Sequence, residues 1–343
     1  MQIGSVCTRA EARRAGFGDA AISRRVASGQ WQAPFRGVLV RHACPLTLAE
    51  RALAAVRSQV APAWASHQTA GALWRLDLPR WAVAEPVHLT LSPTRGRHRA
   101  GLRLHTSIML GSADTCGCDG VPVTSPARTA VDLARVLPRL PAVIAADSVL
   151  RAGLCRPGDL RAVVHRLGGH RGVRVARDIV ALSDEWSASV PETTMRMTLV
   201  DSGLPRPVAN HDLRDGAGAV LARGDLVYDT LLVWLEYDGY DGHVERRAFE
   251  YDRQRERMLV ARGWEVLRFT AADLRRPYLV VRDVREALVR APARIRGLDP
   301  GRSPEVARAR RAALLPLPVD HDVPTGEDRA EAPITDQRSS RAS

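Results

Sequence analysis

The run Leu231-Leu232-Val233-Trp234-Leu235, closed at once by Glu236-Tyr237-Asp238-Gly239, is the tightest constraint in this chain. An apolar run that short, partly β-branched or aromatic, does not make an ordinary helix and reads as a buried strand. A carboxylate set directly after it is drawn into partly buried surroundings, and a buried charge needs a partner or a metal. Side chains two apart on a strand share a face, so Glu236 and Asp238 point the same way. Asp225 precedes Leu226-Val227-Tyr228, a neighbouring antiparallel strand, and could reach that face. His243 lies just beyond, in the Gly239–Gly242 loop. Three carboxylates and an imidazole at one strand end form an oxygen-rich pocket suited to Mg²⁺ or Mn²⁺. The plainer alternative is a set of solvated loop acids, since Asp-Gly is a common turn.

The surroundings of this run suggest a layered unit from about Ser189 to Leu298. A helix starts at Val190-Pro191-Glu192 and stops at Gly203. Asp212 to Leu221, Asp225 to Tyr228 and Leu231 to Tyr237 read as an antiparallel meander. A long helix, Arg246 to Arg262, precedes the strand Trp264 to Phe269 and a last amphipathic helix. Helix, three strands, helix, strand, helix is an α/β/α sandwich pattern.

The N-terminal end reads differently. Thr8 and Glu11 make a capping box for a short helix that Gly16 ends. Asp19 opens a second helix, with Ile22 and Val26 on its buried side and Ser23, Arg24 and Arg25 on its exposed one. Trp31 to Arg41 reads as a two-stranded wing carrying Arg36. Together these predict a winged helix-turn-helix, whose second helix enters the major groove. The middle, residues 46–187, reads as a helical region with a small sheet. Val87–Leu91 and Gly101–His105 alternate with period two as paired strands. His88 and His105 are expected as a surface pair, with no third ligand in view, and His67 as a packing or capping residue.

Every one of the 50 basic side chains is arginine, and the formal net charge is +12. That balance favours nucleic acid as the partner, and planar guanidinium groups suit phosphate and guanine edges. The five cysteines are scattered, and Cys116-Gly-Cys118 has no second pair at zinc spacing, which predicts reduced thiols without metal in a cytoplasmic protein. No leader peptide and no membrane span are expected. From about Gly297 the chain turns rich in Pro, Arg, Ala, Asp, Glu and Ser; residues 299–343 are expected as a disordered tail, in which Ser303-Pro304-Glu305 could start a short helix to Leu315.

Two resemblances extend this reading. TRAEARRAGFGDAAISRRVASGQWQAPFRGVLV, LTLAERALAAV and ASHQTAGALWRLDLP, within residues 5–135, resemble the N-terminal half of AbiEi-type antitoxins of type IV toxin–antitoxin systems. In that family the winged helix binds operator DNA, so the resemblance implies DNA contacts by Ser23, Arg24, Arg25 and Arg36. Glu192, Asp225, Leu235-Glu236-Tyr237-Asp238-Gly239, His243, Tyr251-Asp252-Arg253 with Arg255, and Gly263-Trp264 onward are similar to a Vsr-like domain of the PD-(D/E)XK endonuclease superfamily. That resemblance implies Mg²⁺- or Mn²⁺-dependent phosphodiester hydrolysis, with Glu192, Asp225 and Glu236 as metal ligands. The superfamily lysine is replaced by Asp238, so His243 is assigned as general base or acid, with Asp238 orienting it or a metal-bound water. Arg253 and Arg255 would hold the scissile phosphate, or else form a solvated helix face paired with neighbouring acids.

The expected organisation is therefore a multidomain α/β (α+β) protein. It places a winged helix-turn-helix at 1–45, an AbiEi-like middle at 46–187 and an endonuclease-like domain at 188–298. The expected function is a DNA-binding protein with a metal-dependent endonuclease, in defence or repair. The alternative is a non-enzymatic regulator or antitoxin with a nuclease-like domain used only for binding, and a cognate toxin as partner. A homodimer is compatible with either.

Overall fold

The structure, a computed structural model, describes residues 4–83, 86–92, 100–107, 110–239, 246–294 and 304–312. Among these, helices and three sheets alternate in a mixed α/β arrangement. No helix among the described residues is long and apolar enough to cross a membrane.

At the N-terminal end, β1 (Val6–Thr8) leads into α1 (Arg9–Arg14) through the capping box expected from Thr8 and Glu11. α2 (Asp19–Ala27) comes next, and β2 (Val38–Val40) returns antiparallel to β1. Cys7, Ala12, Ile22, Trp31 and Leu39 close a small core around them. The wing is not a free-standing hairpin. Its second half pairs with Val6–Thr8, and Gln32 makes only an isolated bridge to Val40. Pro34 lies between the halves and has no N–H for a ladder. Val6, Val38 and Val40 also pack on Ala54 of α3 (Leu48–Arg57), so this unit shares a core with the first helix of the middle region.

The middle holds a larger sheet than its sequence suggests. Its strands are β3 (Ala63–Ala65), β4 (Val87–Leu91), β5 (Leu102–Thr106), β6 (Thr115–Cys118) and β7 (Val121–Thr124). They run in the order β5-β4-β3-β7-β6. Three of the five are not marked as strands by the sequence: Ala63-Trp64-Ala65 is short, Thr115–Cys118 is polar, and Pro122 interrupts Val121–Thr124. β4 and β5 pair in parallel, with Thr90 beside His105. α4 (His67–Leu73) and α5 (Arg80–Val83) lie between β3 and β4 in the chain. A bundle of α6 (Pro126–Ala134), α7 (Arg139–Arg151), α8 (Pro157–Arg166) and α9 (Val173–Leu182) buries a second core of Val, Leu and Ala side chains.

The C-terminal part is a four-stranded sheet between helices. α10 (Val190–Asp201) precedes β8 (Val208–Arg214), β9 (Val220–Tyr228) and β10 (Val233–Asp238). α11 (Arg246–Ala261) crosses over to β11 (Glu265–Thr270), which pairs with β10 in parallel. A helical crossover is the usual way to join parallel neighbours. Two expected boundaries move. Asp212–Leu221 is not one strand, because Asp215 accepts from Ala217 N and Ala219 N and turns the chain there. Leu231 belongs to a short 3₁₀ turn, and Leu232 holds φ +51°, so β10 starts at Val233. α12 (Ala271–Leu274) leads into α13 (Pro277–Arg294). One sheet face packs on α10 and α13 through Met195, Leu199, Val280, Val284 and Leu288. The other buries Trp234 against Leu259 of α11.

Candidate functional site

The acids singled out in the sequence gather at one end of β9 and β10, with Glu192 of α10 beside them. Glu236 is 7% exposed, Glu192 is equally buried, and Asp225 is half-buried. Burial pushes the pKa of each up, and the neighbouring charge of Asp225 raises Glu192 and Glu236 further. Each is nevertheless held by protein donors. Asp225 Oδ2 accepts from Tyr237 N at 2.7 Å. Glu192 accepts from Ala188 N and Ser189 Oγ, each at 2.8 Å, and from Asn210 Nδ2 at 3.2 Å. Glu236 accepts from Trp234 Nε1 and lies 3.0 Å from Arg255 Nη2. Asp238 is exposed and pairs with Arg268 at 3.1 Å, which also faces Asp252 and Glu256.

This arrangement differs from an open cage for Mg²⁺. The oxygens of Glu192 are taken up by Ala188 N and Ser189 Oγ just before its own helix, as expected of a capping carboxylate, and by Asn210 of β8. The cation that balances Glu236 is Arg255. Arg255, expected either to hold a scissile phosphate or to pair with nearby acids, bonds Arg223 O at 3.2 Å and sits between Glu236 and Asp252. Arg253 is exposed on the same helix. His243 lies outside the described residues. Among the described residues, Glu192, Asp225 and Glu236 are not the group whose ligand atoms converge within 4.8 Å; that group is His67, His88 and His105. As arranged, the carboxylates do not fit a divalent ion.

The basic N-terminal helix keeps part of its expected face. Ser23 and Arg24 are exposed, as is Arg36 in the turn before β2. Arg25 is not free for a partner in the same way. Its guanidinium lies 5.1 Å from the Phe17 ring centroid and 5.5 Å from that of Trp31, so it closes the small core.

The histidines of the middle sheet are not the plain surface pair that their spacing predicts. His88 is 6% exposed and His105 half-buried. His67, at the start of α4, stacks on His105 at 3.6 Å between ring centroids. Arg128 and Asp132 of α6, and Arg135 just past its end, line the same pocket. Asp132 takes Arg128 Nε at 2.9 Å and Arg135 Nη1 at 2.9 Å, and burial pushes its carboxyl up against those two cations. Burial likewise holds His88 and His105 at about 4 and His67 well below the ordinary imidazole value. No local pattern marks this trio, because strand pairing brings together residues 67, 88 and 105. Ser66 N donates to His88 O at 3.0 Å and sets α4 against β4.

Residues 48–182 match the AbiEi antitoxin C-terminal domain. This chain is therefore AbiEi-antitoxin-like over its middle. The match takes in α3 to α9, including the five-stranded sheet and the histidine pocket, and leaves the α1–α2 unit and the C-terminal sheet on either side. Two uncharacterized proteins of Mycobacterium tuberculosis, from strains CDC 1551 / Oshkosh and ATCC 25618 / H37Rv, are each 28% identical to this chain over 208 residues. The aligned stretch is 61% of this chain and 74% of each relative.

Proposed function

We propose that this chain is a DNA-binding regulator of the antitoxin kind, with the α1–α2 unit as its DNA reader and the AbiEi-like middle as the seat of its partner interactions. The match of residues 48–182 to an antitoxin domain carries the reading. The exposed Ser23 and Arg24 on α2, Arg36 before β2 and the net charge of +12 support it. On this reading α2 lies in the major groove, in the manner of a winged helix-turn-helix, and the partner is a cognate toxin.

Fluorescence anisotropy on DNA from the chain's own upstream region tests it. Affinity should fall steeply with salt. Arg24→Ala and Arg36→Ala should each lower the salt slope by about 1, the loss of roughly one phosphate contact. Arg25→Ala should instead lower thermal stability, since it removes a cation stacked against Phe17 and Trp31. Binding indifferent to salt and to Arg24 and Arg36 would remove α2 from the interface.

A second reading, a Vsr-like metal-dependent nuclease, is favoured by one observation: Asp225 lies within electrostatic reach of both Glu192 and Glu236, where the pairing of β9 and β10 stops. For an ion to enter, Arg255 would have to leave Glu236. The regulator reading expects supercoiled plasmid to stay intact with Mg²⁺ or Mn²⁺. Metal-dependent nicking that disappears in Asp225→Ala and Glu236→Ala would put the nuclease first.

A further inference from the structure

We propose that His67, His88 and His105 bind one divalent transition-metal ion of the zinc class, with a coordination position left open toward a basic pocket. This goes beyond the regulator reading and does not depend on DNA binding.

The geometry carries it. One ligand nitrogen from each ring lies within 4.8 Å of the others. His88 Nδ1 and His105 Nε2 share a hydrogen bond at 3.2 Å, which an ion between them replaces once the donor ring carries its proton on its other nitrogen. Two nitrogens bound to one tetrahedral ion at about 2.0–2.1 Å would be separated by roughly 3.3–3.4 Å, so this pair needs little movement. His67 Nδ1 is 3.0 Å from Ser66 Oγ, which leaves Nε2 to coordinate. A hydrogen bond on the far nitrogen fixes the orientation of a ligating ring.

The backbone points the same way. His67 holds φ +49°, a left-handed conformation uncommon for a side-chain-bearing residue. Strain of this sort persists where surrounding structure enforces it, and here it accompanies a ring laid flat on that of His105; an imidazole lone pair lies in the ring plane, so the His67 ring tilts out of this stack to share an ion with His105. His88 is anchored from both sides, its N–H donating to Thr69 Oγ1 at 2.9 Å and its carbonyl accepting from Ser66 N.

The pocket also contains polar atoms without a hydrogen bond. Thr90 Oγ1, on a residue 1% exposed, has no partner, and neither does Gln68 Oε1. Arg128 Nη1 makes no hydrogen bond and stands 3.6 Å from Asp114. Buried polar groups left in this condition ask for a ligand or ordered water.

The donor set selects the ion. Three imidazoles with no thiolate or carboxylate in the group suit zinc, cobalt, nickel or copper better than magnesium or calcium. Three histidines leave a tetrahedral ion one open position. Arg103, Arg128 and Arg135 line the pocket, so an anionic fourth ligand such as hydroxide or phosphate fits it best.

The test uses untagged full-length protein titrated with Zn²⁺ or Co²⁺. Calorimetry should give about one ion per chain, and Co²⁺ should develop the visible bands of a four-coordinate site. In wild-type protein, three imidazole ¹⁵N signals should shift together on Zn²⁺ addition, a readout that needs no substitution. His105→Gln, at the half-buried position, should remove the Co²⁺ bands while keeping the circular dichroism spectrum. Ser66→Ala should raise the Kd by about 10-fold through the freed His67 ring. Imidazole signals that stay still, or Co²⁺ bands that survive in a His88→Gln/His105→Gln double variant, would overturn the proposal.

Discussion

Asp147→Ala should cost about 3–5 kcal/mol of folding stability, because it strands a charge inside the protein. Arg196 Nη2 lies 2.6 Å from Asp147 Oδ2, and both side chains are 0% exposed. Asp147 also accepts from Thr193 Oγ1 and from Asp184 N, each at 2.7 Å. Burial pushes its carboxyl up, and the guanidinium of Arg196 opposes that shift. The pair joins α7 of the helical bundle to α10 beside the C-terminal sheet, so its loss should loosen both at once. Replacing both partners with apolar residues, as in Asp147→Leu/Arg196→Met, should recover much of the deficit, since the cost lies in the unpaired charge. Urea unfolding of the single and double variants decides it. A single-variant loss below about 1 kcal/mol would mean that water or a shift in α10 relieves Arg196.

Trp234→Ala should be comparably severe, at about 3–5 kcal/mol. Trp234 is among the largest fully buried side chains and packs edge-on against Trp264, at 5.2 Å between centroids. The space around it is shaped to the ring. A Cβ added at Gly224 would lie 2.6 Å from the indole, which explains a glycine inside β9. Trp234 also donates to Glu236, so it ties the core beneath α11 to the acidic strand end. Trp234→Phe separates the two roles. It keeps an aromatic ring but withdraws the N–H, and should cost about 1–3 kcal/mol through the weakened environment of Glu236. Equilibrium unfolding should rank wild type, Phe and Ala in that order. Equal costs for Phe and Ala would assign the effect to the hydrogen bond alone.

The sites differ in how far short-range pattern reaches. The acidic strand end was legible because its logic is local: an apolar run, a carboxylate at its close, and alternation along one strand. The capping box of Thr8 and Glu11 was legible for the same reason. What pattern could not say is who neutralises Glu236. Arg255 lies on a separate helix, and an arginine on a charged helix face looks solvated until that helix is docked. Arg25 shows the converse. Its spacing places it with exposed residues, yet Phe17 and Trp31 converge on it from either side of α2.

The sequence by itself determined the local vocabulary of this protein: where α1 begins, that the run into Glu236 is a strand, and that the chain carries a strongly basic charge in arginine alone. Tertiary structure decided the pairings. It joined Asp147 to Arg196, set Arg255 on Glu236, and brought His67 to His88 and His105 through a five-stranded sheet of which three strands carry no local signal. The physical reason is range. Capping and alternation act over a few residues and leave a mark in the sequence. Contacts between distant segments depend on which strands pair and which helices dock, and the side chains that meet there carry no local sign of it.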